Sequence, residues 1–174
     1  MKIPVFVSCP TTLRSDQQKM RLHITRILDR LGLEPRALGR SDYPSEFPLR
    51  EVLVIAKKCS GAVVLGFHQS VCTGLEIRPG TKKAKLIRGK SYFPTAWNNL
   101  EAGVTFALGL PVLVFREEGV SDGIFDHGVS DVFVHAMPPA RISKGANDAL
   151  FEVFLKWRDK VGSHYYGHPL HPKP

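Results

Sequence analysis

The residue best placed for catalysis is Glu101, a carboxylate in the first turns of a predicted helix that leads into an apolar strand. Thr95 is a suitable N-cap for this helix, and Gly109 stands where a left-handed C-cap is expected before Pro111. The neighbours of Glu101 are uncharged and include Gly103, which suits close approach of a ligand. A carboxylate here can stabilise a developing positive charge or act as a nucleophile. The alternative is a solvated glutamate near a favourable helix dipole.

The elements that would position Glu101 follow from an alternation of apolar strand patterns with longer helical patterns, which is typical of a parallel α/β sheet. Five strands with helices between them predict a flavodoxin-like three-layer domain with strand order 2-1-3-4-5. Ligand is then expected at the switch point between the first and third strands. The predicted strands are 3–7, 33–38, 60–67, 111–115 and 132–135, and the predicted helices are 15–31 (capping box Ser15 and Gln18), 49–58, 95–108 and one capped by Asn147.

The loops that converge on this switch point carry further candidates for substrate binding. Ser8 and Thr11 supply hydroxyls in the first loop, and Pro10 stiffens that loop. The alternative for this segment is a simple turn that leads into the next helix. Arg116 follows the fourth strand, where it could contact a ribose or a phosphate or serve only as an exposed charge.

Aromatic and amide side chains beside the crevice complete the candidate binding set. Phe67 ends the central strand, and Trp97 and Asn98 lie in the first turn of the helix that carries Glu101. The two aromatic rings could stack on a purine or a nicotinamide, although an aromatic beside a core strand is more often a core residue.

A basic insertion at residues 68–93 interrupts the alternation of strands and helices. Its segment RPGTKKAKLIRGK contains no acidic residue. We interpret it as a mobile flap that grips substrate phosphates through Lys82, Lys83, Lys85 and Arg88. The alternatives are a nucleic-acid patch, which the lack of interleaved aromatic residues disfavours, and a solvated basic loop.

The length and composition of the chain limit the number of domains and the kinds of partner that we expect. The chain of 174 residues, 43% of them hydrophobic, is interpreted as one domain at 1–162 with a loosely ordered tail at 163–174. The net charge of +8 favours anionic partners. Three cysteines without CxxC spacing give no indication of a disulfide framework or of a metal site. The sequence also shows no apolar run of membrane-spanning length, so we expect no membrane partner and a cytoplasmic protein.

Three segments, VFVSCP, AVVLGF and NLEAGVTFALGLPVLVFRE, carry a family resemblance. Together they resemble the clan that joins nucleoside 2-deoxyribosyltransferases, nucleotide N-glycosidases and Toll/interleukin-1 receptor (TIR) domains. The residues that match the transferase pattern are Glu101, Gly103, Ala107, Leu108, Gly109 and Pro111, whereas Leu110 replaces the usual lysine. In the TIR branch a large residue precedes the catalytic glutamate by four positions, and Trp97 with Glu101 is similar to that pattern.

The resemblance implies that Glu101 cleaves a bond between a base and a ribose. Deoxyribosyltransferases also use an aspartate before the glutamate, but Pro94, Thr95 and Ala96 stand there. The simpler implication is an N-glycosidase of NAD or a related nucleotide, with NAD or the nucleotide as substrate rather than cofactor and an ordinary ionised Glu101. TIR-like relatives further imply an effector or signal-producing enzyme of bacterial antiviral defence, with a homo-oligomer or a defence protein as partner. The alternatives are a nucleotide-sensing or assembly module without catalysis, and a deoxyribosyltransferase.

Overall fold

The computed structural model describes residues 2–39, 47–126, 128 and 132–167. Within these ranges the chain forms strands, four α-helices and a short 3-10 turn at Gly123–Phe125. The strands are β1 (Ile3–Ser8), β2 (Leu33–Arg36), β3 (Ala62–Gly66), β4 (Ser70–Ile77), β5 (Lys85–Phe93), β6 (Val112–Arg116) and β7 (Val134–Ala136), and the helices are α1 (Ser15–Arg30), α2 (Pro48–Lys57), α3 (Ala96–Ala107) and α4 (Lys144–Gly167).

Five of the strands form a parallel sheet in the order β2-β1-β3-β6-β7. When the hairpin formed by β4 and β5 is set aside, this is the order 2-1-3-4-5, so the flavodoxin-like topology predicted from the sequence is confirmed. The direction of strand addition reverses between β1 and β3, and the carboxyl ends of these two strands therefore border the ligand crevice expected of such sheets. In the described part of the chain, every helix is too short or too polar to cross a membrane.

Alternate residues of the central strands face two helical layers. Val5 and Leu65 pack with α1 and α4, where Leu28 and Phe154 are fully buried. On the opposite face, Phe6 packs with α2. Because both faces are covered, these strands are apolar throughout instead of alternating with polar residues. Each large side chain buried in this way contributes about 1.5 to 3 kcal/mol.

The insertion that we expected to be a mobile loop contains an antiparallel hairpin. β4 and β5 pair from Ser70 with Phe93 to Ile77 with Lys85, and the register shifts between Thr73 and Leu75. Most of its side chains are exposed, and neither strand has extensive contact with another described element. The hairpin therefore projects from the sheet and is joined to it at its base.

Three helix boundaries differ from the sequence predictions. The N-cap of α1 is Arg14, and Gln17 Oε1 accepts a hydrogen bond from its backbone N–H, so Ser15 with Gln18 is not the cap.

Ser143, not Asn147, caps α4, since its hydroxyl accepts from the backbone N–H of Ala146. α4 also continues to Gly167, so residues 163–167 are helical rather than part of a loose tail. The remainder of that predicted tail, residues 168–174, lies outside the described residues.

Candidate active site

The start of α3 is fixed at the carboxyl edge of the sheet by a capping box. Thr95 is the N-cap, as predicted, and its hydroxyl accepts a hydrogen bond of 3.2 Å from the backbone N–H of Asn98. In return, Asn98 Oδ1 accepts from the backbone N–H and the hydroxyl of Thr95. Each partner satisfies a helix-end group that would otherwise lack a bond, so the first turn of α3 is well defined. Gly109 ends the helix with φ 70°, as expected of a left-handed C-cap.

The amide of Asn98 joins α3 to both strands at the switch point. Its side chain is buried, and Nδ2 donates to Ser8 Oγ at 2.9 Å and to the carbonyl of Leu65 at 3.4 Å. These bonds hold the end of β1, the end of β3 and the start of α3 together. Because both side chains are buried, Asn98 and Ser8 hold these elements together and do not present a binding surface to solvent.

Glu101 lies one turn beyond Asn98 and is linked to the same hydroxyl. Because Ser8 Oγ accepts its hydrogen bond from Asn98, the Ser8 proton is free to be donated to the Glu101 carboxylate. Burial raises the pKa of Glu101 from 4.5 to about 7, and the bond from Ser8 offsets only part of this shift. The sequence suggested an ordinary ionised glutamate, and this differs from the structure, in which the loss of hydration raises the pKa of Glu101 more than the bond from Ser8 lowers it.

A carboxyl group with a pKa near 7 can take part in proton transfer at neutral pH. Both protonation states of Glu101 are then populated, and its negative form can also stabilise a cation in a site of reduced polarity. Strong shifts caused by burial in a crevice are typical of functional carboxyl groups. The geometry therefore favours Glu101 over the other described acidic residues as a reactive group.

A buried carboxylate, Glu117, follows β6 at the same edge of the sheet. Its Oε2 accepts from Gln17 Nε2 at 2.8 Å and from the backbone N–H of His68 at 2.5 Å. Its Oε1 accepts from the guanidinium of Arg14 at 3.1 Å. The ring of His68 also stacks on Tyr92, at the base of the hairpin, with 4.1 Å between ring centroids. Glu117 thus joins α1, the end of β3, the end of β6 and, through His68, the hairpin.

Sequence reasoning missed this cluster. Gln17 and Glu117 are separated by 100 positions, and although Glu117 ends the segment NLEAGVTFALGLPVLVFRE, nothing in the sequence connects it with Gln17. The only local signal was a glutamate directly after a buried parallel strand, a position that often reaches the ligand edge of a sheet.

Three predicted binding residues have different placements in the structure. Phe67 is fully buried in the core layer beneath α1 and α4, so its ring is not at the crevice surface. Arg116 donates to the carbonyls of Val120 and Phe125, and thereby holds the loop that follows β6. Trp97, in contrast, is 43% exposed in the first turn of α3, where its ring is available to a ligand.

Two predicted binding residues of the first loop, Pro10 and Thr11, differ in their exposure to solvent. Pro10 is buried, whereas Thr11 is exposed just beyond it. Only Thr11 of this pair therefore presents its side chain to solvent.

The four basic residues assigned to a flap all lie on the hairpin and are exposed. Lys82 and Lys83 are in the turn, and Lys85 and Arg88 are on β5. Within the described part of the chain, none of them pairs with an acidic side chain, and none bonds to Glu101. β5 is nine residues long, so the turn lies roughly 25 Å from the base of the hairpin. The basic residues are thus spread along the hairpin instead of being gathered at the crevice.

Among the described residues, no three His, Cys, Asp or Glu side chains cluster in a way that could hold a metal ion.

Comparison with protein-family models and with curated proteins gives no match to this chain. The case for a function therefore rests on the geometry of the site and on the resemblance of the motifs around Glu101.

Proposed function

We propose that the protein cleaves the N-glycosidic bond between base and ribose in NAD or a related nucleotide, with Glu101 as the catalytic carboxyl group. The observation that supports this most strongly is the burial of Glu101 beside Ser8, at the ligand edge of the sheet, with a pKa of about 7. Two features of this environment, low polarity and, among the described residues, a single hydrogen bond donated by Ser8, leave the carboxyl group with unused capacity to interact with a substrate.

The proposed chemistry requires few protein groups. As the bond between C1 of the ribose and the base nitrogen breaks, its electron pair goes to the base, and positive charge develops on the ribose. In NAD the nicotinamide ring is cationic before cleavage and leaves as a neutral molecule, so no strong general acid is needed. The carboxylate form of Glu101 stabilises the ribosyl cation, and water then adds to C1.

Glu101 has a second proposed role when water attacks. The attacking water must lose a proton as its oxygen bonds to C1, and a carboxylate with a pKa near 7 can accept that proton at neutral pH. The bond from Ser8 keeps the carboxylate oriented during the reaction, while the exposed ring of Trp97 covers the departing base.

The experiment that tests this proposal measures released base. Purified protein is incubated with NAD, with nucleotides and with 2-deoxynucleosides, each with and without a second free base, and the products are separated by chromatography. We expect free base from NAD or a nucleotide without any added acceptor. Glu101→Gln should abolish the release, whereas Glu118→Gln, which changes an exposed glutamate near the same edge, should not.

Each alternative predicts a different result in the same experiment. Base release that occurs only when a second base is present would support deoxyribosyl transfer. Nucleotide binding without any product would support a sensing module. Full base release by Glu101→Gln would contradict the assignment of the catalytic carboxyl group.

A further inference from the structure

A groove lies at the opposite end of the sheet from Glu101. It has a volume of about 710 Å³ and runs between the C-terminal end of α3, the start of β6, β7 and α4. This volume falls within the range of about 300 to 1,000 Å³ that is typical of small-molecule sites. Its principal lining residues are Phe106, Leu110, Phe133, His135, Lys156, Trp157 and Lys160.

The apolar part of the groove is formed by the indole ring of Trp157 and by two exposed phenylalanines. Trp157 is buried, and its Nε1 donates to the carbonyl of Pro111 at 3.0 Å, which orients the ring. Phe106 is 49% exposed and Phe133 is 72% exposed. Two large aromatic side chains left exposed on the same groove indicate a surface that is suited to an apolar ligand.

The charged part of the groove comes from α4. Lys156 and Lys160 are four residues apart, so they project from one face of the helix, and both are exposed. Among the described residues, neither lysine pairs with a carboxylate. Burial lowers the pKa of the neighbouring His135, which favours its neutral form, and the two lysines therefore provide the positive charge.

We propose that this groove binds a small amphipathic organic anion. The apolar body of the ligand, a ring system or an acyl chain, lies against Phe106, Phe133 and Trp157, and its carboxylate, sulfonate or phosphate contacts Lys156 and Lys160. The groove should select a negatively charged ligand, because the lysines at its rim would repel a cation of the same shape. The site is independent of Glu101, which lies at the carboxyl end of the strands.

A matched pair of fluorescent probes tests this proposal on the full chain. Anilinonaphthalene sulfonate has an apolar ring system and one negative charge, and phenylnaphthylamine is its uncharged parent. We expect the anion to bind at least tenfold more tightly than the neutral probe. The double variant Lys156→Gln with Lys160→Gln should remove most of that difference, and added salt should have the same effect.

Two further variants separate the apolar contribution from the charged one. Phe133→Ser should weaken the binding of both probes to a similar degree, because both use the same apolar wall. Lys57→Gln with Lys58→Gln removes two exposed lysines at the end of α2 and should leave both affinities unchanged. Circular dichroism in the near ultraviolet confirms that each variant is folded, so that probe binding to a loosened core is recognised.

Three results would overturn the proposal. The first is equal affinity of the two probes for the unmodified protein. The second is unchanged anion binding by the double lysine variant. The third is a dimer in sedimentation that Phe133→Ser dissociates and the anionic probe does not, since the groove would then be occupied by a second copy of the chain.

Discussion

Glu101 is partly buried and Glu117 is buried at the carboxyl edge of one sheet, and the two carboxyl groups differ in how many hydrogen-bond donors they contact. Glu117 receives bonds from Arg14, from Gln17 and from the backbone of His68. For Glu101, the hydroxyl of Ser8 is the bond that influences its ionisation, and burial raises its pKa to about 7. The comparison teaches that burial alone does not identify a reactive carboxyl group. A carboxylate whose acceptor sites are filled holds a fold together, whereas one that is left short of donors is available for chemistry.

The largest expected difference between the two residues is in catalysis. Glu101→Gln removes the negative charge while preserving size and shape, so base release should fall on the order of a hundredfold or more, as after loss of a transition-state stabiliser. Glu117→Gln should retain substantial turnover per folded molecule. Initial rates of base release, normalised to the folded fraction, make this comparison, and a larger loss in Glu117→Gln would reverse the roles assigned here.

The second expected difference is in stability, where the substitution of Glu117 should have the larger destabilising effect. Glu117→Gln places an amide N–H₂ among groups that are themselves donors, so part of the network loses its acceptor. We expect the free energy of unfolding to fall by about 2 to 3 kcal/mol. Urea denaturation at neutral pH measures this change. A variant as stable as the unmodified protein would show that the cluster around Glu117 does not hold the fold.

The pH dependence of stability should distinguish Glu101 as well. Its pKa in the folded state is raised above the ordinary value of 4.5, so the native state binds more protons than the unfolded state between pH 4.5 and about pH 7. Glu101 therefore reduces stability progressively as the pH rises through this range, by on the order of 3 kcal/mol in total.

Glu101→Gln removes this contribution. The variant should gain stability relative to the unmodified protein as the pH rises from 4.5 to 7, and the difference should stay constant above that range. Denaturation curves at pH 5, 6, 7 and 8 test the trend. A difference that does not change with pH would mean that Glu101 titrates normally.

The smallest expected effect concerns the hairpin, which differs from the crevice because its charges are exposed. If the hairpin leans over bound substrate, changing Lys82, Lys83, Lys85 and Arg88 to Gln should raise the KM for a nucleotide more than for its nucleoside. Each exposed contact contributes about 1 kcal/mol or less, and salt should weaken it. Equal effects on the two substrates would identify these residues as a solvated basic surface, and loss of RNA or DNA binding alone would identify a nucleic-acid patch.

The sheet and the helix that carries Glu101 were predictable because their signals are local. Buried parallel strands are short apolar runs, and Thr95 and Gly109 mark the two ends of α3 through their own backbone preferences. The two strands of the hairpin were not predicted from the sequence. Most of their side chains are exposed, so these strands lack the continuous apolar pattern that identifies β3. Its turn signal, the segment RPGTKK, was read only as charge.

The electrostatic character of the site was not predictable. The pKa of Glu101 depends on how completely α3 and the ends of β1 and β3 exclude water, and this depends on packing in three dimensions. The bond from Asn98 to Ser8 joins residues 90 positions apart. The sequence could identify Ser8, Asn98 and Glu101 as candidates, but it could not indicate that two of them position the third.

A direct titration of Glu101 tests the central claim most directly, because it requires no substrate. The protein is labelled with ¹³C at the glutamate side-chain carboxyl carbons, and their NMR signals are followed from pH 3 to pH 9. Comparison with Glu101→Gln identifies the signal of Glu101 by its absence. We predict that this signal titrates with a midpoint near 7, the value expected from burial at the crevice. A midpoint near 4.5 would show a solvated, ordinary glutamate and would contradict the account.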